Sequence, residues 1–335
     1  MSKFKVYATD ITWPDLEIEK DILKDVADVT LSTGKNTEEI CAQGNDADGL
    51  MVLFTPMNRE NLSHFKNAKI LLRTGIGTNS VDLDAATEMG IIVCNVPDYC
   101  QEEVADHTMA LFLDITRKMV ELVNQTRNGG WNMSIADPVP RYRNKIFALA
   151  GCGGIGRMVA HRAQAFGLQT IGYDPYLPEE VFAKNNIRRC ATIDELLKEA
   201  DFVSLHMPLT PESTHVIDAR ALSLMKPSAY LINSARGPLV DEDALYEACK
   251  NKQIAGAALD VTVCEPPAGH DKFVTKPKFL ELSNVILTPH AAWNSDEAIP
   301  ELRVKVAEEL KRFFNGVKPI NVVNKAVLEK YNFKG

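Results

Sequence analysis

Three side chains in the last third of this 335-residue chain have the types and spacing for proton transfer next to a bound anion. Arg236 stands in the small-residue turn Asn233-Ser234-Ala235-Arg236-Gly237, an unusual place for a long cation unless it reaches toward an anion. Its planar guanidinium would grip a carboxylate through paired hydrogen bonds. His290, after Thr288-Pro289 and before Ala291-Ala292-Trp293, is the one histidine placed as a proton donor. Glu265 follows Asp260 by five residues, between Cys264 and Pro266; a carboxylate beside an imidazole raises its pKa and keeps it charged near neutral pH. Singly, each has an ordinary reading as a surface Arg, a loop Glu or a capping His.

A fourth feature brings an electron carrier. The apolar run Ile146 to Ala150 ends in Gly151-Cys152-Gly153-Gly154-Ile155-Gly156, and a helix-like segment follows. Gly151 permits the tight turn, Gly153 lets backbone approach a pyrophosphate, and Gly156 lets the helix pack on the sheet with its positive end toward the phosphates. A second apolar strand, Leu168 to Tyr173, stops at Asp174, where a carboxylate would bind an adenosine ribose and repel a 2′-phosphate. NAD is therefore expected over NADP. The competing reading is an ordinary βαβ turn followed by a surface Asp. Cys152 in this turn reads as a small filler rather than a reactive thiol. Carboxylate clamp, tuned acid and dinucleotide together are the parts of hydride transfer to a 2-oxo acid.

These groups need strands to end beside one another. After Asp174 the alternation continues with strands at 201–206, 229–233, 255–260 and 284–288, which with the first two predict a six-stranded doubly wound parallel sheet over about 100–290. His206 with Pro208, Asn233 to Gly237, Asp260 and His290 all fall at strand C-terminal ends, where such sheets bind ligands. The first hundred residues read as a separate, flavodoxin-like α/β unit, with strands at 4–8, 49–54, 70–72 and 91–94. Its loop Arg73 to Asn79 is either an anion cradle or a turn using glycine for positive φ. A long helix runs from the acidic turn after Pro97 to about Arg127, apolar on several faces and so expected to be buried; His107 on it reads as packed or capped. The tail Lys318 to Val323 reads as an edge strand or docking segment returning to the first unit. The expected domains are 1–99 plus 295–335, for substrate, with the Rossmann NAD domain, 100–294, inserted.

The whole-chain figures agree with such an enzyme. A net charge of −8 with 45% hydrophobic and 24% charged residues describes a globular protein with no basic run for nucleic acid. No stretch approaches a signal peptide or membrane span, and seven scattered cysteines without a CxxC pair suit a reducing, cytoplasmic compartment. The motifs call for no metal, and a homodimer is expected.

In order and spacing, Gly151 to Gly156 with Asp174, Asn233 to Gly237, Asp260 with Glu265-Pro266, and Thr288-Pro289-His290 resemble the D-isomer-specific 2-hydroxyacid dehydrogenases across essentially the whole chain. Val96 to Cys100, Val104 to His107 and His290 to Trp293 are most similar to the branch related to C-terminal binding protein. The resemblance implies that Arg236 binds the substrate carboxylate and carbonyl, His290 is the acid/base and Glu265 orients it. It assigns amides near Ile76 and Gly77 to the substrate carboxylate. It places Gly154, Ile155, Asp174, Ser234, Ala235 and Asp260 at the cofactor. His206, Pro208, Arg236 and His290 are taken to line the cofactor crevice too. Trp293 is expected to reach the substituent at the substrate's C3.

Between Pro266 and Asn284 the chain departs from the family with a longer stretch carrying Lys272, Lys276 and Lys278, read as an active-site wall or a subunit contact. The regulatory domain of long phosphoglycerate dehydrogenases is expected to be absent. Two other functions fit the same motifs: an NAD(H)-sensing binding protein related to C-terminal binding protein, and a phosphite-type dehydrogenase. A formate dehydrogenase is disfavoured because that branch lacks a Glu beside its His.

Overall fold

The computed structural model describes residues 3–266 and 272–334, in two compact units. The first takes the described residues up to Tyr99 and from Ser295 onward; the second takes Cys100 to Pro266 and 272–294. The inserted part of the long stretch after Pro266 that covers 267–271 lies outside the described residues.

In the first unit, β1 (Phe4–Ala8), β2 (Ala27–Leu31), β3 (Gly49–Val52), β4 (Ile70–Arg73) and β5 (Ile92–Cys94) form a parallel sheet in the order β2-β1-β3-β4-β5. Strand alternation sends Tyr7, Leu50, Val52, Leu71 and Val93 into one cluster with Leu62, Ala85 and Ala86. The helices Glu17–Leu23 and Ala298–Phe314 pack on each other, joined by a buried ion pair in which Arg303 donates twice to Glu19, at 2.8 and 2.9 Å. That pair carries the end of the chain back to this unit. The tail then meets the sheet edge through a single antiparallel bridge, Cys94 with Val322, and Asn324 Oδ1 accepts from Val93 N at 2.8 Å.

The second unit contains β6 (Ile146–Ala150), β7 (Gln169–Tyr173), β8 (Ile187–Arg189), β9 (Phe202–Leu205), β10 (Tyr230–Asn233), β11 (Gly256–Leu259) and β12 (Val285–Leu287). They form one parallel sheet in the order β12-β11-β10-β9-β6-β7-β8, apolar on both faces because helices cover both. Ala148 and Ala150 face one cluster, and Phe147 and Leu149 the other. The sheet has seven strands rather than the six expected. The extra strand, β8, is three residues long and buries only Ile187, so no period-2 pattern marks it.

The long helix also differs from expectation. It stops at Arg117, because Lys118 takes a left-handed conformation (φ 57°), and a second helix runs Met119–Arg127. The first helix is buried along Val104, Ala105, Met109, Leu111, Phe112 and Ile115, whereas the second buries nothing.

Candidate active site

β6 and β9 stay paired to their ends, but the chain leaves them in opposite directions across the sheet, toward β7 on one side and β10 on the other, so a gap opens beyond their C-terminal ends. The glycine turn sits in this gap. Gly151 has φ 98°, and a Cβ there would lie 2.6 Å from the His206 carbonyl, so only glycine fits. At Gly156 a Cβ would come within 2.3 Å of Gly151 O, which brings the helix Gly154–Ala165 down onto the turn. Gly153 is different: a Cβ there would meet no protein atom within 4 Å. The fold itself does not require glycine at 153, whereas a pyrophosphate laid against the helix start does. These residues therefore fit a dinucleotide.

Asp174 directly follows β7 and holds the turn from the other side. Its Oδ2 accepts from Cys152 N and its Oδ1 from Tyr176 N, both at 3.0 Å, and each oxygen keeps a lone pair for a ribose hydroxyl. The Cys152 thiol is buried, and burial and then Asp174 push its pKa up to about 12; it stays protonated and unreactive. His206 bonds to Ser204 Oγ at 2.9 Å, and burial drops it to about 3, so its imidazole is neutral. Pro208, two residues on, is exposed and its carbonyl accepts from Ser213 Oγ at 2.8 Å. Ile155 is half-buried in the first turn of the helix.

Arg236, Asp260 with Glu265, and His290 follow the C-terminal ends of three adjacent strands, β10, β11 and β12. The Arg236 turn is held by Asn233, whose side chain donates to Arg236 O at 2.8 Å and accepts from Ala235 N at 3.0 Å. Arg236 is half-buried, with Nη1 on its own turn at Ala235 O, 2.6 Å away. Ser234 Oγ lies 2.7 Å from Thr108 Oγ1 on the long helix.

Asp260 builds the next turn and is almost wholly buried. Oδ1 accepts from Thr288 Oγ1 at 2.5 Å and Ala291 N at 2.9 Å, and Oδ2 from Ala292 N at 2.9 Å; His290 N donates to the Asp260 carbonyl at 2.8 Å. Burial pushes this carboxyl up, but bonds from His107, Thr288, Ala291 and Ala292 outweigh it and hold it below its ordinary range. The turn forces His290 to φ 51°, a conformation residues other than glycine rarely take and one that clusters at functional sites. His290 Nδ1 lies 2.9 Å from Glu265 Oε2, with both side chains about one-third exposed. Trp293, three residues on, is half-buried.

Sequence reasoning missed the part played by His107. Its Nε2 is 3.0 Å from Thr288 Oγ1 and 3.4 Å from Asp260 Oδ1. With the Thr288 proton committed to Asp260, Nε2 is the donor of that pair. The sequence carries no trace of it, because His107 stands between Asp106 and Thr108 as a solvated helix position would.

In the first unit, the loop after β4 is tied down by Asn95 Nδ2 on Ile76 O at 2.6 Å and Val96 N on Gly75 O at 3.0 Å. Gly75 has φ 153°, and the Arg73 guanidinium folds over it to donate to Thr74 O at 2.8 Å. Gly77 is half-buried in the same loop.

The family model described as D-isomer specific 2-hydroxyacid dehydrogenase, NAD binding domain, matches residues 109–292. The chain is 39% identical to D-3-phosphoglycerate dehydrogenase of Methanocaldococcus jannaschii over 321 residues, 96% of this chain and 59% of that one. It is 35% identical to C-terminal-binding protein 1 of Caenorhabditis elegans over 314 residues, 90% of this chain and 42% of that one. The chain thus spans about three-fifths and two-fifths of the length of these two relatives. D-lactate dehydrogenase from Aquifex aeolicus, solved with NAD and lactic acid, superposes with a TM-score of 0.83 at 27% identity, covering 98% of each chain.

Proposed function

The chain belongs to the D-isomer specific 2-hydroxyacid dehydrogenase family, and on that premise we propose that it reduces a small 2-oxo acid to the D-2-hydroxy acid with NADH. The observation that carries the reading is the 2.9 Å pairing of His290 with Glu265, on a turn built by Asp260 one strand away from Arg236's. Arg236 holds the carboxylate and polarises the carbonyl. Glu265 accepts a hydrogen bond from His290 Nδ1–H and fixes the ring, which leaves the Nε2 proton for the carbonyl oxygen as it becomes an alkoxide. Bound NADH supplies the hydride to the carbonyl carbon. In the reverse direction neutral His290 takes the hydroxyl proton.

Gly151, Gly153, Gly154, Ile155 and Gly156 receive the pyrophosphate and Asp174 the ribose, with His206, Pro208, Ser234 and Ala235 along the same crevice. Asp260 serves as the post for the His290 turn. Trp293 contacts the C3 substituent. A broad indole disfavours a phosphate there, and Arg73 is bonded to its own loop, so small or apolar 2-oxo acids are expected over the phosphorylated acid that one relative's name implies.

Two further features belong to the reading. Met119, Val120, Val123, Trp131 and Met133 are exposed, and Met133 also lines a cavity of about 620 Å³ with Leu122 and Tyr142. Exposed apolar side chains on one stretch of chain suit a twofold homodimer, which sedimentation at twice the chain mass would establish and a monomer would refute. All seven cysteines are free, as a reducing compartment such as the cytoplasm requires.

A panel of 2-oxo acids with NADH tests the activity. Glyoxylate, hydroxypyruvate, pyruvate or a branched analogue is expected to be the best substrate, and Trp293→Ala to reorder the preference. If phosphohydroxypyruvate is best, the indole argument fails. If nothing turns over while NADH drives association with a partner protein, the second reading, a nucleotide-sensing protein like the C-terminal-binding relative, takes its place.

A further inference from the structure

Glu242 opens the helix Glu242–Lys250, where the helix dipole favours a carboxylate. The cap there is already made by Asp241, whose side chain accepts from Ala244 N at 3.1 Å. The Glu242 carboxylate instead bonds to residues twenty positions further on. Its Oε1 accepts from Thr262 Oγ1 at 2.7 Å and from Val263 N at 2.8 Å.

The same short loop leads to His290. Cys264 N donates to Thr262 Oγ1 at 3.2 Å, Thr262 N to Glu265 Oε1 at 3.3 Å, and Glu265 Oε2 meets His290 Nδ1 at 2.9 Å. On another side the loop has no slack: a Cβ at Gly237 would lie 2.4 Å from the Thr262 carbonyl carbon, so the Arg236 turn abuts it. Burial pushes the half-buried Glu242 carboxyl upward, and the carboxylates of Glu265 and Asp243 add to this against the bonds from Thr262 and Val263. Packing a carboxylate close to another costs free energy, which the bonds from Thr262 and Val263 offset only while the loop stays in place.

We propose that Glu242 is a positioning residue: it fixes the 262–265 loop, and with it the carboxylate that orients His290. The inference rests on the roles proposed above for Glu265 and His290.

Two measurements separate the inference from that reading. The first is the NMR spectrum of the His290 imidazole at one pH in the chain without ligands, its ring signals identified by their loss in His290→Asn. The second is the split of kcat against KM for 2-oxo acid reduction, beside the NADH Kd. In Glu242→Ala the loop drifts and Glu265 leaves His290 Nδ1, so the His290 ring signals move. kcat falls on the order of 10-fold through lost orientation, while the NADH Kd is unchanged. Glu242→Gln keeps the acceptor oxygen and restores both readouts.

Wild-type His290 signals in Glu242→Ala, or a Gln variant as impaired as the Ala variant, overturn the proposal. Should Glu242→Ala fail to fold, Glu242→Asp keeps the charge at the helix start but draws the carboxylate away from both Thr262 and Val263, and is expected to move the His290 signals alike; unmoved signals there overturn it equally. If the wild type reduces no 2-oxo acid, the functional reading fails, and the spectrum still decides the part played by Glu242.

Discussion

The two sheets of this chain reverse direction in the same way, and only one reversal is built for a nucleotide. In the first unit the switch falls between β1 and β3, in the second between β6 and β9. A side chain closes the first. Asp10 accepts from the amides of Leu53, Phe54 and Thr55 at 3.2, 2.6 and 3.4 Å, and from Thr55 Oγ1 at 2.9 Å. The amides that would meet an anion there already meet a carboxylate. In the second, glycines hold the place: Gly151 packs on the His206 backbone, and the space over Gly153 is open. Topology offers a crevice in both units, but side chains decide whether it receives a ligand.

The comparison is sharpened by opposite substitutions. Gly153→Asn places a side chain where the protein has no atom, at a helix N-cap that Asn suits. NADH affinity is expected to fall roughly 10- to 100-fold through lost amide–phosphate bonds, with the unfolding midpoint unmoved. Calorimetric titration beside a thermal melt reads both, and a destabilised variant with normal NADH binding would break the comparison. Asp10→Ala is the mirror case. Freeing three amides and the hydroxyls of Thr9 and Thr55 is expected to cost about 1–3 kcal/mol of first-unit stability and leave the NADH Kd unchanged. A smaller effect is expected at Asp174. Wild type prefers NADH to NADPH in kcat/KM, and Asp174→Ala narrows that gap by roughly 10-fold, since about 1.4 kcal/mol of charge repulsion is removed. A wild-type preference for NADPH would show that Asp174 does not face the ribose.

What the sequence reveals here is what chain neighbours encode. The run from Ile146 through Gly156 to Asp174 is a contiguous strand, turn, helix and strand, and proline or glycine punctuates the ends of the strands that carry Arg236 and His290. β8 escapes notice because its single buried residue has no period. The helix break at Lys118 is hidden because a left-handed Lys in a run of good helix formers carries no local signal. Asp10, His107 and Glu242 look like ordinary polar residues, since their partners lie 20 to 181 positions away. Their roles follow from which strands come to lie side by side.

The central claim is that His290, set by Glu265 on the Asp260 turn, transfers the proton in a site whose nucleotide is held elsewhere on the same sheet. The most direct test is His290→Asn, assayed for NADH oxidation over the 2-oxo acid panel and for NADH binding at equilibrium. Turnover is expected to fall by roughly 10²- to 10⁴-fold, the usual contribution of a positioned general acid, with the NADH Kd within about two-fold of wild type. Activity equal to wild type on every acid that the wild type reduces would contradict the account.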